Sequence, residues 1–262
     1  MTEIALAALA TLFVWWFSTG VIFWLDGLPA RTHRLTVAAA TVLLGVALWG
    51  VAATADDTSV SGAYLSFASG LMVWAWVELT FLTGLVTGPN RAPRPPGLAF
   101  AQRFRLAIGA ILWHELVILG LAALVFALSW SGENRIAAWT VAILWMMRTS
   151  TKLNLFLGVR NTYAQLLPPQ LHHIASHFTR ARMNALFPTA IAAATTLAVL
   201  LLSAATAAEA TPFAATGLAI LGTLAALGAI EHAFLMLPLR TEALWAWGLG
   251  SRADRGTAAT TP

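Results

Sequence analysis

No cysteine occurs in the 262 residues. A disulfide frame, a thiolate nucleophile and a cysteine-ligated metal centre are therefore excluded. Charge is scarce as well: Asp, Glu, Lys and Arg make up 10% of the chain, against about 25% in a soluble domain. Lys152 is the single lysine, and the other basic residues are arginines. No Walker motif, Gly-x-Ser-x-Gly elbow or dinucleotide fingerprint is present. What fills the chain instead is apolar, 59% of it. That balance excludes a soluble globular enzyme, a disordered chain and a secreted disulfide scaffold. It leaves an all-α, polytopic integral membrane protein. The net charge is +4, but the bases are scattered through short loops, which speaks for orientation in a bilayer and against nucleic acid as a partner.

Seven apolar runs are long enough to cross about 30 Å of hydrocarbon as helices. They are expected at 4–25, 35–54, 62–86, 106–128, 136–157, 186–208 and 214–237, in one transmembrane domain over 1–250. The runs are continuous, whereas barrel strands alternate in polarity. The first is expected to be a retained helix and not a signal peptide, because Met1-Thr2-Glu3 carries no positive charge and the apolar run is long. Asp26-Gly27-Leu28-Pro29, Asp56-Asp57, Gly88-Pro89-Asn90 and Trp130-Ser131-Gly132 mark breaks between runs. The tail 251–262 is small and polar and is expected to be disordered.

Loop charge sets the expected orientation. Arg31, Arg34, Arg91, Arg94, Arg103, Arg105, Arg160, Arg180, Arg182, Arg240, Arg252 and Arg255 fall on one side of a seven-span layout, and Arg135 alone on the other. Glu3, Asp56, Asp57, Glu133 and Glu209 share the side of Arg135. The positive-inside rule then places the N-terminus in the periplasm and the C-terminus in the cytoplasm. Trp24, Trp130, Trp139, Trp245 and Trp247 lie near expected helix ends, where an indole suits the headgroup level. Trp74, Trp76, Trp113 and Trp145 lie deeper, as packing or as walls for a flat ring. One cytoplasmic stretch, 169–181, places Leu171, Ile174, Ala175 and Phe178 at helical spacing, opposite His172, His173, His177 and Arg180. It is expected to be a helix lying on the inner membrane surface, with its histidines solvated.

Ionisable residues inside the spans carry the chemistry. Each costs roughly 2.5–3.5 kcal/mol to insert at mid-depth. Glu78 stands in the third span, His114 and Glu115 in the fourth, Arg148, Lys152 and Asn154 in the fifth, and Glu231 and His232 in the seventh. Counted from the cytoplasmic ends, these four helices bring charge to one layer, roughly 9–14 Å deep at 1.5 Å per residue. Isolated charges are intolerable there, so the layer is expected to be a hydrogen-bonded cluster joining the four helices. Four readings stand side by side. The cluster pairs helices, with Glu78 and Glu115 against Arg148 and Lys152. It holds a haem or bacteriochlorophyll through an imidazole. It is a di-metal site on His114, Glu115, Glu231 and His232, although adjacent residues point about 100° apart on a helix, unlike Glu-x-x-His. Or it conducts a proton or ion. Among functions, a transporter ranks lowest, since mid-span Gly/Pro breaks are missing.

The motifs around these residues are distinctive. They are Glu78-Leu-Thr-Phe-Leu-Thr-Gly84 with Thr87-Gly88-Pro89, and Arg103-Phe104 leading to Ile111-Leu-Trp-His-Glu115. Leu144 to Asn161 (LWMMRTSTKLNLFLGVRN), Arg182-Met-Asn-Ala-Leu-Phe-Pro188 and Glu231-His232 through Leu237-Pro238-Leu239 complete the set. In these stretches, spanning about 60 to 250, the chain resembles the PuhE family, photosynthetic complex assembly protein 2 of purple phototrophic bacteria. The resemblance implies a role in forming reaction-centre and light-harvesting complexes, or in supplying bacteriochlorophyll to them. It implies reaction-centre or antenna subunits, or pigment-biosynthesis proteins, as partners, and a bacterial inner or intracytoplasmic membrane location. It implies no catalytic residue. The alternative from a different class is a membrane-bound, metal- or haem-dependent oxidoreductase of tetrapyrrole metabolism.

Overall fold

A computed structural model describes residues 2–251. Among them the chain is helical, with one isolated backbone bridge between Val159 and Arg180 and no strand. Seven helices have 20 residues or more: α1 Thr2–Asp26, α2 Ala30–Ala53, α3 Val60–Leu82, α4 Phe100–Ser129, α5 Ile136–Leu157, α7 Leu186–Ala205 and α8 Pro212–Phe234. A four-residue turn of helix, α6 His172–Ala175, lies between α5 and α7. Six of the long helices are apolar enough to cross a membrane by length and composition. α5 is the seventh long helix and falls outside that set. Its second half reads Arg148, Thr149, Ser150, Thr151, Lys152 and Asn154, so the helix that brings most polarity to the interior is the least apolar one.

Local chemistry starts and stops these helices. Ser59 Oγ accepts the N–H of Gly62 at 3.0 Å and caps α3. Thr211 Oγ1 accepts from Ala214 at 3.2 Å, with Pro212 at the first helical position of α8. Both satisfy donors that a helix start leaves open. α5 ends at Gly158, whose φ of 130° suits a residue without Cβ.

α3 and α8 run through the middle of the bundle. α3 packs against α1, α2, α4, α5 and α8, and α8 against α1, α3, α5 and α7. Close approach needs small residues. A Cβ on Gly70 of α3 would stand 2.7 Å from the Ala137 carbonyl oxygen on α5. A Cβ on Gly228 of α8 would meet the Met147 side chain of α5 at the same 2.7 Å. α8 thus touches α5 beside Arg148, and α3 touches it near the start of α5, at the end away from its charges.

The segment between α5 and α7 departs from expectation. No helix runs over 169–181: a 3₁₀ turn at Pro169–Leu171 leads into α6, and the chain then folds back. Val159 N–H donates to Thr179 O, Ala181 N–H to Val159 O, and Thr179 N–H to Leu155 O. Leu171, Ile174 and His177 are buried, His173 is half-buried, and only His172 and Arg180 of the expected polar face are exposed. The segment closes the end of the bundle: Gln170 Nε2 donates to the last-turn carbonyl of Leu82 in α3 at 2.7 Å, and Arg103 of α4 donates to Thr179 Oγ1 at 2.8 Å. The apolar spacing served burial against helices, and lipid was not the surface it met.

Other boundaries move by a few residues. α3 stops at Leu82, where Gly84 turns with φ of 75°, and α4 begins at Phe100. Trp245 is buried, contrary to an interfacial role. Its indole N–H donates to Trp16 O at 3.0 Å, and Trp16 returns a bond to Leu244 O at 2.8 Å. Trp113, expected deep, is half exposed on the outer face of α4. The tail expected to be disordered lies outside the described residues except for Ser251, which is helical and donates to Trp24 O at 3.1 Å.

Candidate functional site

α5 places Arg148 and Lys152 one turn apart on a single face. Each meets a carboxylate from a different helix. Arg148 donates to Glu78 of α3 at 2.6 Å, and Lys152 to Glu115 of α4 at 2.5 Å. Trp145, on the same face of α5, points its indole N–H at Glu115 at 3.4 Å. Glu231 of α8 has no cation within ion-pair distance among the described residues and instead accepts the indole N–H of Trp15 from α1 at 3.1 Å. These contacts join α3, α4 and α5, while Glu231 carries α8 to α1. Trp15 is not marked in the sequence, because an indole carries no charge to flag it.

The other candidates do different work. His232 sits with Nδ1 2.8 Å from Gly228 O and Nε2 2.8 Å from Ser150 Oγ. A carbonyl only accepts, so Nδ1 carries the hydrogen, and in the neutral ring Nε2 receives the Ser150 hydroxyl. Both nitrogens are thus used in tying α8 to α5. Asn154 is also structural: its Oδ1 accepts from Asn184 at 3.0 Å, while Asn184 Oδ1 caps α7 by accepting from Leu186 at 2.9 Å. His114 is fully buried, stacked on Phe81 with ring centres 4.2 Å apart, and neither ring nitrogen has a hydrogen-bond partner among the described residues. Phe81, and not His114, borders the larger of the two cavities beside the layer.

Two adjoining cavities flank the layer. One, of about 130 Å³, lies among α1, α3, α5 and α8 and touches Trp15, Glu78, Arg148 and Glu231. The other, of about 240 Å³, extends toward the chain segments after α5 and after α8, along Phe81, Lys152, Leu155, Tyr163 and Trp245. Arg148, Glu231, Thr19, Phe23 and Leu82 border both. The wall is mostly apolar and aromatic, with the charges of the layer and the hydroxyls of Ser18, Thr19, Thr151, Thr162 and Thr241 as its polar groups, a composition typical of small-molecule sites. Arg148 spends one nitrogen on Glu78, yet 37% of its side chain is open. Glu78 is 9% open, and its Oε1 is buried with no partner.

Neither His114 nor His232 borders either of these two spaces, so neither imidazole is placed there as an axial ligand for a ring-bound metal. Among the described residues, no group of three or more His, Asp or Glu side chains is arranged to hold a metal ion. Glu115 and Glu231 engage Lys152 and Trp15 separately.

Comparison with known proteins places this architecture. The family model described as "Protein of unknown function (DUF3623)" matches residues 1–256. The chain belongs to this family. A relative from Rhodobacter capsulatus, described as an uncharacterized 30.4 kDa protein in the puhA 5' region, is 44% identical over 255 residues, 95% of this chain and 92% of the relative. No solved structure matches the chain.

Removing one partner of a buried pair leaves a bare charge and costs roughly 3–5 kcal/mol. Glu115→Leu is therefore expected to strand Lys152 and lower the melting temperature in detergent, while Glu115→Gln, which keeps an acceptor, should lose less. Equal melting of Glu115→Leu and wild type would sink this account. Outside the spans, burial first, then Arg94, His173 and Arg103, hold the His177 imidazole below its usual 6.5. His173 is held down in the same direction, chiefly by burial. The folded state thus resists protons that the unfolded chain accepts, so stability present above the unfolded value of 6.5 falls as pH drops below it. Melting curves over that range should show the decline, and His177→Phe should flatten it. An unchanged slope in the variant would remove His177 from the explanation.

Proposed function

We propose that this protein is the PuhE-type factor of a purple phototroph, assisting the assembly of photosynthetic complexes from within the bilayer. The observation that carries the reading is the chamber bordered by Arg148 and Glu231: an apolar bundle that keeps open charge at mid-depth is built to receive a partly polar guest. The relative's description in the puhA 5' region supports it, because it shares the puh label of the family that the motifs resemble. Reaction-centre or light-harvesting subunits are the proposed partners, and the inner or intracytoplasmic membrane the proposed location. Of the two branches of the role, help to nascent subunits is favoured over carriage of whole bacteriochlorophyll, because the walls of the two spaces beside the layer hold no imidazole for a macrocycle.

All seven long helices are proposed to cross the membrane. Pairing Arg148 and Lys152 with two carboxylates lowers the cost of immersing α5, whose composition alone is too polar. An odd number of crossings with 12 loop arginines on one side and Arg135 on the other puts the N-terminus outside and the C-terminus in the cytoplasm. The second cavity then faces the cytoplasmic half, walled in part by the fold-back segment.

The test is genetic. In a phototroph lacking the gene, wild-type protein with a C-terminal green fluorescent protein should fluoresce and restore the near-infrared absorbance of the complexes. Arg148→Ala and Glu231→Leu, expressed at equal fluorescence, should restore it several-fold less. Full complex yield without the gene would overturn the assembly role, and a dark fusion at normal protein level would overturn the orientation.

A further inference from the structure

The fold-back segment holds a buried imidazole with nothing to bond. His177 is 3% exposed, and neither ring nitrogen has a hydrogen-bond partner among the described residues. A neutral imidazole can use one acceptor and one donor, and a protonated one needs two acceptors. The charged and titratable groups that act on this ring are all basic. Arg94 faces it from the loop before α4, Arg103 from α4, and His173 from its own segment, with Arg91 acting on His173 in turn. No carboxylate among the described residues acts on either ring. A second proton on His177 therefore finds no acceptor and adds positive charge beside two guanidiniums. The ring takes that proton only by leaving its place.

What His177 is attached to makes its place matter. Phe178, next in the chain, and Ile174, three residues back, pack with Phe81 and Leu82. Both also wall the larger cavity, together with Leu166 and Leu167 of the same segment, and that cavity is bordered by Arg148, Lys152 and Glu231. The segment's polar ties to its surroundings are Gln170 to Leu82 O at 2.7 Å, Thr179 N–H to Leu155 O at 2.9 Å, Arg103 to Thr179 Oγ1 at 2.8 Å and the Arg94 N–H to Ser176 Oγ at 2.8 Å. Two of these ties are made by the residues that repel an imidazolium, so charge on the ring works against its own fastenings. Upstream, Tyr163 is anchored through its hydroxyl to Phe234 O at 2.7 Å, so displacement begins after it. We propose that residues 164–179 form an acid-released lid: protonation of His177 frees the segment and opens the larger cavity to water at this end of the bundle.

In the closed lid, burial first and then the neighbouring bases hold the ring below its usual 6.5, and in the open lid water restores it. Closure is thus favoured above 6.5 and loses ground as pH falls below it. Between about pH 7.5 and 5.5 the ratio of open to closed lid rises by about tenfold for one such imidazole.

The chain has no cysteine, so Thr151→Cys, on the wall of the larger cavity, is a single thiol. Its labelling by a charged methanethiosulfonate is followed on the full chain in nanodiscs. Each rate is divided by that of the same thiol in the chain unfolded in sodium dodecyl sulfate at the same pH, which removes the thiol's own titration. From about pH 7.5 to 5.5 this ratio is expected to rise about tenfold. In His177→Phe, whose ring takes no proton, it should stay flat. In His177→Arg, charged throughout, it should already be high at the upper pH. Ala122→Cys, buried in a separate core cluster with Val51 and Val141, should stay unlabelled at both. A flat ratio with His177 in place would overturn the lid, as would slow labelling of His177→Arg. An equal rise in His177→Phe would assign the opening to another group and overturn the role of His177. Labelling of Ala122→Cys in step would make the change an unfolding of the bundle and overturn the lid as a local device. The lid controls the chamber of the proposed function, but it is read on the purified protein and does not need complex yield as its measure. If labelling ignores pH while the gene restores complexes, the lid is wrong and the assembly role stands. If labelling follows pH and the gene proves dispensable, the reverse follows.

Discussion

Two ion pairs, Arg148 with Glu78 and Lys152 with Glu115, decide how this bundle is put together. Hydrophobic burial does not distinguish one helix neighbour from another in lipid, because the tails are as apolar as the side chains. Charges do distinguish them. On the proposed seven-span reading, α5 rests in hydrocarbon only with Arg148 and Lys152 matched, and α3 and α4 bring the carboxylates that match them. Once α5 is held there, Gly70 and Gly228 let α3 and α8 approach it closely. His232 then reaches Ser150, and Glu231 turns toward Trp15.

Part of this was legible in the primary structure, because charges inside apolar spans have little choice but to find each other. The depth count that grouped them leaned on expected helix ends that the structure moves: α3 stops four residues after Glu78, and α4 starts fifteen residues before Glu115. What was not legible depended on rotation and on loops. Depth counting does not say which way a side chain points, so His114 and His232 were grouped with the layer although one is stacked behind Phe81 and the other is bonded to Gly228 and Ser150. Asn154 shared the level and yet serves the start of α7 through Asn184. Trp15 was passed over because indoles are abundant here and only its bond to Glu231 sets it apart.

The fold-back segment shows a different limit. Leu171, Ile174 and Phe178 recur as an amphipathic helix would require, yet the same spacing serves a turn-rich chain that has bundle helices beneath it. Its backbone N–H groups close tight turns, His177 onto Ile174 and Phe178 onto Ala175, and then Thr179 and Ala181 donate to Leu155 and Val159 instead of continuing a helix. Apolar periodicity reports which side chains want burial. It does not report whether lipid or protein provides it.

The pairs themselves argue against a purely structural purpose. Buried ion pairs replaced by well-packed apolar side chains of similar volume often leave a protein as stable or more so, so stability alone gives little reason to keep four charges at mid-membrane. A layer that existed only to register helices would also be saturated, as the Asn154–Asn184 junction nearly is. This one is not. Arg148 keeps more than a third of its side chain open, Glu78 Oε1 has no partner, and Glu231 faces two cavities with a single indole for company. Unsatisfied polarity inside an apolar bundle is expensive to maintain. It persists here along one connected wall bordering open space, which is where a guest molecule would complete it.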